Sequence, residues 1–216
     1  MFAPTVTGTV YPASSGSTPV LSLSTTTTVA SGLVGSMLIC IVTNPFGSQP
    51  ASATWLGTPM NSIGFTAGET FKQIFWLKNP APGTGSLTVN WNIFSHDILM
   101  VNFVVQNGGR IDASIENGGF PFGSSASQAI TTTKANELLI SVIWNDSSAS
   151  QTQGSGQTQL SNQTFSSWRM TTSSKAAATA GAQSMGATFG TSVDWDMAVI
   201  AIGIPPKTQG DMFLVL

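Results

Sequence analysis

The chain has 216 residues, 41% of them hydrophobic and only 7% charged, with a formal net charge of −2. An ordinary soluble domain carries about 25% charged residues, and disorder requires low apolar content as well as polarity, so the composition excludes an unfolded chain and predicts a surface of Ser, Thr, Asn, Gln and Gly. Lys and Arg occur singly, which argues against nucleic-acid binding, and the one cysteine, Cys40, excludes an internal disulfide framework.

Residues 1–19 are rich in Pro, Gly, Ser and Thr and read as an extended arm, with Phe2 and Tyr11 as candidate anchors on a neighbour. The start, MFAPTVTGTVYP, has neither a positive region nor a long apolar core, so it is not read as a secretory signal. No run approaches the length of a membrane span. The first strand is expected over 20–29 and the second over 37–43, with NPFG as the turn; Cys40 falls in this apolar run. Short strands are expected at 53–55 and 60–65, and a longer one at 70–78.

Asn79-Pro80-Ala81-Pro82-Gly83 ends that strand, because proline cannot donate to a ladder. In 86–94, Leu87, Val89, Trp91 and Ile93 alternate with polar residues, the period of a strand with one buried face. An apolar strand follows at 98–106, then a long connection over 107–126. A polar strand is expected at 127–133 and a continuously apolar, central one at 137–144. Residues 145–159 read as a polar loop or hairpin tip, 164–173 as a strand, and KAAATAGA as one helical turn at most. The last strand runs over 195–204 and is stopped by Pro205-Pro206; an apolar tail, KTQGDMFLVL, follows.

This pattern predicts an all-β fold, an antiparallel jelly-roll-like β-sandwich with extended N- and C-terminal arms, and a barrel as the alternative. The expected division is an arm over 1–19, one sandwich over 20–206 and a tail over 207–216. No fixed-period repeat relates the two halves of the sequence.

Four stretches, ATWLGTPM (53–60), WLKNPAPGTGSLTVNW (76–91), TTTKANELLISVIW (131–144) and VDWDMAVIAI (193–202), together resemble a loosely defined family of domains in bacterial surface proteins and phage structural proteins. Over residues 20–204 the resemblance implies a concanavalin-like or jelly-roll sandwich in an extracellular or virion setting. It carries over no catalytic residues. The terminal arms and the missing signal depart from the surface-protein members and favour the phage members.

The candidate chemistry is sparse. His96, the only histidine, neighbours Asp97, but adjacent strand residues point to opposite faces. Asp194 and Asp196 share a strand face about 6.6 Å apart along the chain, a spacing compatible with a calcium or glycan site, with glycoside hydrolysis, or with two carboxylates facing water while Trp195 points inward. Asp112 and Glu116, in the long connection, are possible companions. The six tryptophans suit either core packing or, if exposed, sugar stacking. The apolar residues Met212, Phe213, Leu214, Val215 and Leu216 are candidate interface residues with Phe2 and Tyr11.

The expectation is therefore a non-enzymatic structural virion protein needing no cofactor, made in a host cytoplasm without a signal peptide and carried on the particle. A phage capsid decoration or cement protein fits first and a tail or fibre component second, with a carbohydrate-binding adhesion module as the competing class. Expected partners are other virion proteins and copies of the chain itself, with a glycan as a further option and no nucleic acid or membrane.

Overall fold

The computed structural model describes residues 3–16, 19–33, 35–44, 48–65, 71–95, 97–117 and 121–204. The first half of the chain forms β1 (Thr5–Gly16), β2 (Val20–Val29), β3 (Met37–Asn44), β4 (Ser52–Trp55), β5 (Thr58–Pro59), β6 (Asn61–Phe65), β7 (Phe71–Lys78), β8 (Gly83–Ser95) and β9 (Ile98–Gln106). The second forms β10 (Arg110–Glu116), β11 (Phe122–Thr132), β12 (Glu137–Asn145), β13 (Gln151–Gln153), β14 (Thr158–Phe165), β15 (Trp168–Ala177) and β16 (Gly181–Gly203). The described residues contain no helix. The chain is an all-β protein of antiparallel sheets packed face to face, as in a sandwich.

The sheets make four layers. An outer sheet β2-β8-β4-β5 covers an inner sheet β1-β9-β3-β7-β6. A second inner sheet, β10-β16-β12-β15-β14, is covered by a second outer layer in which β11 and β13 flank the first part of β16. Three cores separate the layers. Leu38, Cys40, Trp55, Leu87 and Trp91 fill the first. Ile39, Ile41, Val101, Phe103, Ile140 and Ile200 fill the middle one, between the inner sheets. Leu139, Ile143, Met185, Phe189 and Val199 fill the third. Strand side chains alternate between faces, so β3 and β12, each facing two cores, are buried at every position. This is why MLICIVTN and ELLISVIWN read as continuous apolar runs rather than alternating ones.

The two halves repeat one pairing order: β1-β9-β3-β7-β6 in the first corresponds to β10-β16-β12-β15-β14 in the second, and β2-β8-β4 to β11-β16-β13. The sequence shows no fixed-period repeat, and the structural repeat lies in pairing order alone. Pairing order depends on alternation and turn positions, which survive large changes in residue identity, so the repeat is invisible as a sequence period. Strand β16 does in one segment what β8 and β9 do in two. Its pairing with β11 and β13 gives way near residues 190–194 to pairing with β12 and β10.

Other expectations change too. Residues 5–16 of the expected arm are the edge strand β1, hydrogen-bonded along β9 from Thr5↔Gln106 to Gly16↔Ile98. Its Pro and Gly residues are tolerated because only one side of an edge strand is paired. The expected connection 107–126 contains β10 and the start of β11, and the expected polar loop 145–159 contains β13 and the start of β14. These strands carry few apolar residues because each has one exposed face. KAAATAGA ends β15 and opens β16 through Gly181, whose φ of 121° suits glycine.

The middle core predicts a sharp contrast. Phe103→Ala should cost about 3–5 kcal/mol in urea unfolding, whereas Phe94→Ala, at a position 64% exposed, should stay within about 0.5 kcal/mol.

Candidate functional site

Two clusters gather most of the buried charge. In the first, Lys72 on β7 crosses the middle core to Asp196 on β16, and both are fully buried. Its Nζ also lies 2.7 Å from Oε1 of Glu116 on β10. Burial raises the Asp196 carboxyl to about 6 against the lowering pull of Lys72, and Glu116 adds to the rise. One ammonium thus faces two carboxylates from the opposite sheet.

The repeat shows what this cluster replaces. Matching Asn44, the last residue of β3, to Asn145, the last of β12, pairs Thr43 with Trp144. The cross-strand neighbours of Thr43 are Lys72 and Leu99, and those of Trp144 are Met170 and Asp196. Lys72 therefore corresponds to Met170, and Asp196 to Leu99. The ion pair and an apolar pair occupy equivalent places, and Met170 and Leu99 both belong to the middle core.

The second cluster lies at one end of the second half. Asp112, at a bulge in β10, takes a hydrogen bond from Thr133 and pairs with Arg110. Glu137, at the start of β12 and 1% exposed, accepts the Lys134 backbone N–H at 3.1 Å. Burial, then the hydrogen bond to Asp112 and its charge, lift the Glu137 carboxyl to about 7. The same hydrogen bond, with those from Thr133 and Arg110, holds Asp112 down at about 2. Glu137 keeps the proton and Asp112 the charge.

The expected pairing of Asp194 with Asp196 does not form. Asp196 is consumed by Lys72, while the Asp194 backbone N–H donates to Asp146 Oδ1 at 3.1 Å. The reading of both carboxylates as facing water is corrected for Asp196, because Lys72 draws it into the core. Trp195 does point inward, at 6% exposure. Glu116 joins Asp196 through Lys72, whereas Asp112 is drawn away to Glu137. Among the described residues no group of three or more His, Cys, Asp or Glu is placed to hold a metal ion.

Trp55, Trp91, Trp144 and Trp195 are buried, Trp76 and Trp168 partly so, and Trp144 stacks on Trp168 with centroids 4.7 Å apart. Tyr11 lies on β1, where its carbonyl accepts from Asn102 Nδ2 at 3.2 Å. Cys40 is fully buried, and desolvation pushes its thiol far up. His96, Phe2 and Met212 to Leu216 lie outside the described residues.

The outer faces of the stack are built from hydroxyls. On β2, β8 and β4 the cross-strand rows Ser24–Thr88–Thr54 and Ser22–Asn90–Ser52 point outward. Ser24 and Thr88 hydroxyls are 2.7 Å apart, and those of Thr28 and Thr84 are 2.9 Å apart. The opposite outer layer presents the row Ser125–Thr188–Thr152 and, beside it, Ser127 and Ser184. These rows carry no charge. The scarcity of charge in the sequence signalled such surfaces, but only the register places them on two opposite faces.

A scan against protein-family models, a search of curated proteins and a search of solved structures each found no match.

Two outcomes test the clusters. Lys72→Met alone should cost about 3–5 kcal/mol, because Asp196 is left buried without its partner; Lys72→Met with Asp196→Leu copies the other half and should be neutral or up to about 4 kcal/mol more stable in urea. Glu137, at about 7, and Asp196, at about 6, both lie above the ordinary carboxylate range, so the native state holds more protons than the unfolded chain across that window. Their contribution to stability therefore falls as pH rises from about 4 to about 7, and Glu137→Gln should make the decline in melting temperature between about pH 5 and about pH 8 shallower.

Proposed function

We propose that the chain is a structural, non-catalytic subunit of a virus-like particle, with a phage capsid decoration or cement protein as the reading that fits best and a tail or fibre component next. The observation that carries it is the pair of hydroxyl-rich, charge-poor faces on opposite sides of a doubly buried sheet stack, with Lys175, which donates to the Ser184 carbonyl at 3.0 Å, as the one cation beside the named rows. Like-charged surfaces keep free copies of a protein apart. A face of Ser, Thr and Asn lacks that repulsion and forms many weak, geometrically undemanding hydrogen bonds with a neighbour.

The order of strands supports a jelly-roll reading of each half. In the first half, the orders β1-β9-β3-β7 and β2-β8-β4-β5 mean that the chain crosses between the sheets at every step except the hairpins β4–β5 and β6–β7. Jelly rolls of this kind occur in viral capsid and lectin domains, an analogy of fold that gives no function by itself. The fates of the charged groups favour the structural class over a hydrolase. Lys72 pairs with Asp196 and Glu116 inside the stack, and Asp112 pairs with Arg110 and shares a hydrogen bond with Glu137 at its end. Four of the six tryptophans are spent in packing, which weighs against sugar stacking as the main role.

Sedimentation velocity over a tenfold concentration range tests the reading. The expected result is a discrete oligomer or a concentration-dependent series. Ser22→Lys with Thr26→Lys, both exposed on β2, which charges one outer face, should weaken association about tenfold while changing stability by less than about 0.5 kcal/mol. A wild-type chain that neither self-associates nor binds virus particles, yet binds a glycan array, would overturn the structural reading in favour of adhesion.

A further inference from the structure

The outer layers of the two halves match residue for residue at one bulge. The pair Ser22↔Asn90 is followed by Val20↔Ser95, and Ser125↔Thr188 by Gly123↔Val193, so each ladder skips one residue on β2 or β11 and four on β8 or β16. Asn90 therefore corresponds to Thr188, and Ser52, opposite Asn90, to Thr152, opposite Thr188. Two positions along the ladder, Thr54 and Thr88 correspond to Gly154 and Gly186, joined by the Gly154 N–H donating to the Gly186 carbonyl at 2.9 Å. Trp55, the next residue after Thr54, corresponds to Ser155. The match of Asn44 to Asn145, carried across to β7 and β15, sets Phe75 against Ser173, Trp76 against Ser174 and Leu77 against Lys175.

Trp55, Phe75 and Leu77 pack in or against the first core. Their counterparts are two hydroxyls and an ammonium, and the two threonines beside them have become glycines. The result is a cavity of about 350 Å³ in the second outer layer, bounded by Gly154, Ser155, Lys175 and Gly186. That volume lies at the small end of the roughly 300–1,000 Å³ range of small-molecule sites. A Cβ at Gly186 would lie 2.5 Å from the Ala126 carbonyl oxygen, and one at Gly154 2.3 Å from Gln157 Nε2, so neither position takes a side chain without displacing a neighbour.

The lining selects its guest. Among the described residues around the cavity none is acidic, and only Ala126 and Ala187 are apolar, so neither a cation nor an apolar group finds a partner there. Lys175 Nζ spends one of its three donors on the Ser184 carbonyl at 3.0 Å. Gln157 donates to the Gly186 carbonyl at 2.7 Å and accepts from the Ser173 hydroxyl at 3.0 Å, which fixes its amide and leaves one N–H to spare. Gln153 adds an amide whose Nε2 and Oε1 are buried with no hydrogen-bond partner among the described residues, a standing cost that a bound hydroxyl removes. One ammonium among amides and hydroxyls complements a small, hydroxylated molecule that carries a single carboxylate.

We propose that this cavity binds one acidic sugar residue, of the hexuronate or sialic acid class, with its carboxylate on Lys175 and its hydroxyls on the surrounding amides and Ser and Thr hydroxyls. Recognition is by hydrogen bonding and draws on none of the buried tryptophans. The site stands apart from the particle reading: it lies on the outer layer opposite the one charged in the association test, and sugar binding and self-association are read separately.

Titration of the full chain, followed through its backbone amides by nuclear magnetic resonance, tests it. Methyl glucuronide and N-acetylneuraminic acid are the acidic probes, methyl glucoside the neutral one, and acetate and inorganic phosphate the plain anions. The acidic sugars should move the amides of Gly154, Ser184 and Gly186 saturably, with millimolar dissociation constants about tenfold tighter than those of the other probes. Lys175→Gln should erase that preference. Ser155→Trp, at an exposed position, installs the indole of the first half and should abolish the saturable shifts while leaving the β12 amides unmoved. The proposal fails if neither acidic sugar gives saturable shifts, or if binding survives Ser155→Trp undiminished. Acetate or phosphate binding as tightly as the acidic sugars would overturn it in favour of a bare anion site, and equal binding of methyl glucoside in favour of a neutral glycan.

Discussion

Everything in this molecule depends on two sheets being buried on both sides. Strands β3, β9, β12 and the last part of β16 each send alternate side chains into two different cores. No position on β3 or β12 is left for a solubilising residue, which is one physical origin of the low charge. Removing about 25 cal/mol per Å² of apolar surface from water drives the stacking, and that driving force has no direction. Register and pairing order supply the direction, through ladders such as Ile39↔Phe103 and Ile140↔Ile200 that run unbroken through the centre.

The two halves share a plan and differ where their shared core meets its edges. On one side, Lys72 and Asp196 stand where the other half has Met170 and Leu99. On the other, Trp76 stands where the second half has Ser174. A polar pair inside an apolar seam gains little net stability compared with a well-packed apolar one, but it tolerates no slippage. An ammonium that must meet Asp196 and Glu116 on two strands fixes one inner sheet against the other, where methionine and leucine would accept several positions.

Much of the architecture was legible in the residues. The apolar runs at 37–43, 98–106 and 137–144, the alternation from Leu87 to Trp91 and the Pro/Gly turn at 79–83 each identify a strand or its end. What escaped were strands whose exposed side carries Ser, Thr or Gly: β1, β10, β13, β14 and the first part of β16; the strand expected over 164–173 is broken by the turn at Ser166-Ser167 between β14 and β15. Their identity comes from the ladder that receives them and not from their own composition. The buried ion cluster escaped for a related reason. Lys72 sits in FKQIFWLK as one polar residue among apolar ones, and its partners lie far along the chain. Asp196 was noticed, but as half of a pair with Asp194; the missing signal was that the next strand position after Trp195 also faces a core.

The 23-residue β16 belongs to two layers at once and follows every other described strand in the chain. The second half therefore lacks the central member of both its sheets until this last segment has been made. Until then β12 has a partner on only one side, and the apolar face that β3 and β9 offer to the opposite sheet stays wet. Order must come late and nearly all together, from contacts distant in sequence, which is the regime of slow folding. Such a chain spends its unfinished time with open sheet edges and little charge to keep copies apart, so its hazard during synthesis is pairing through those edges before β16 closes them.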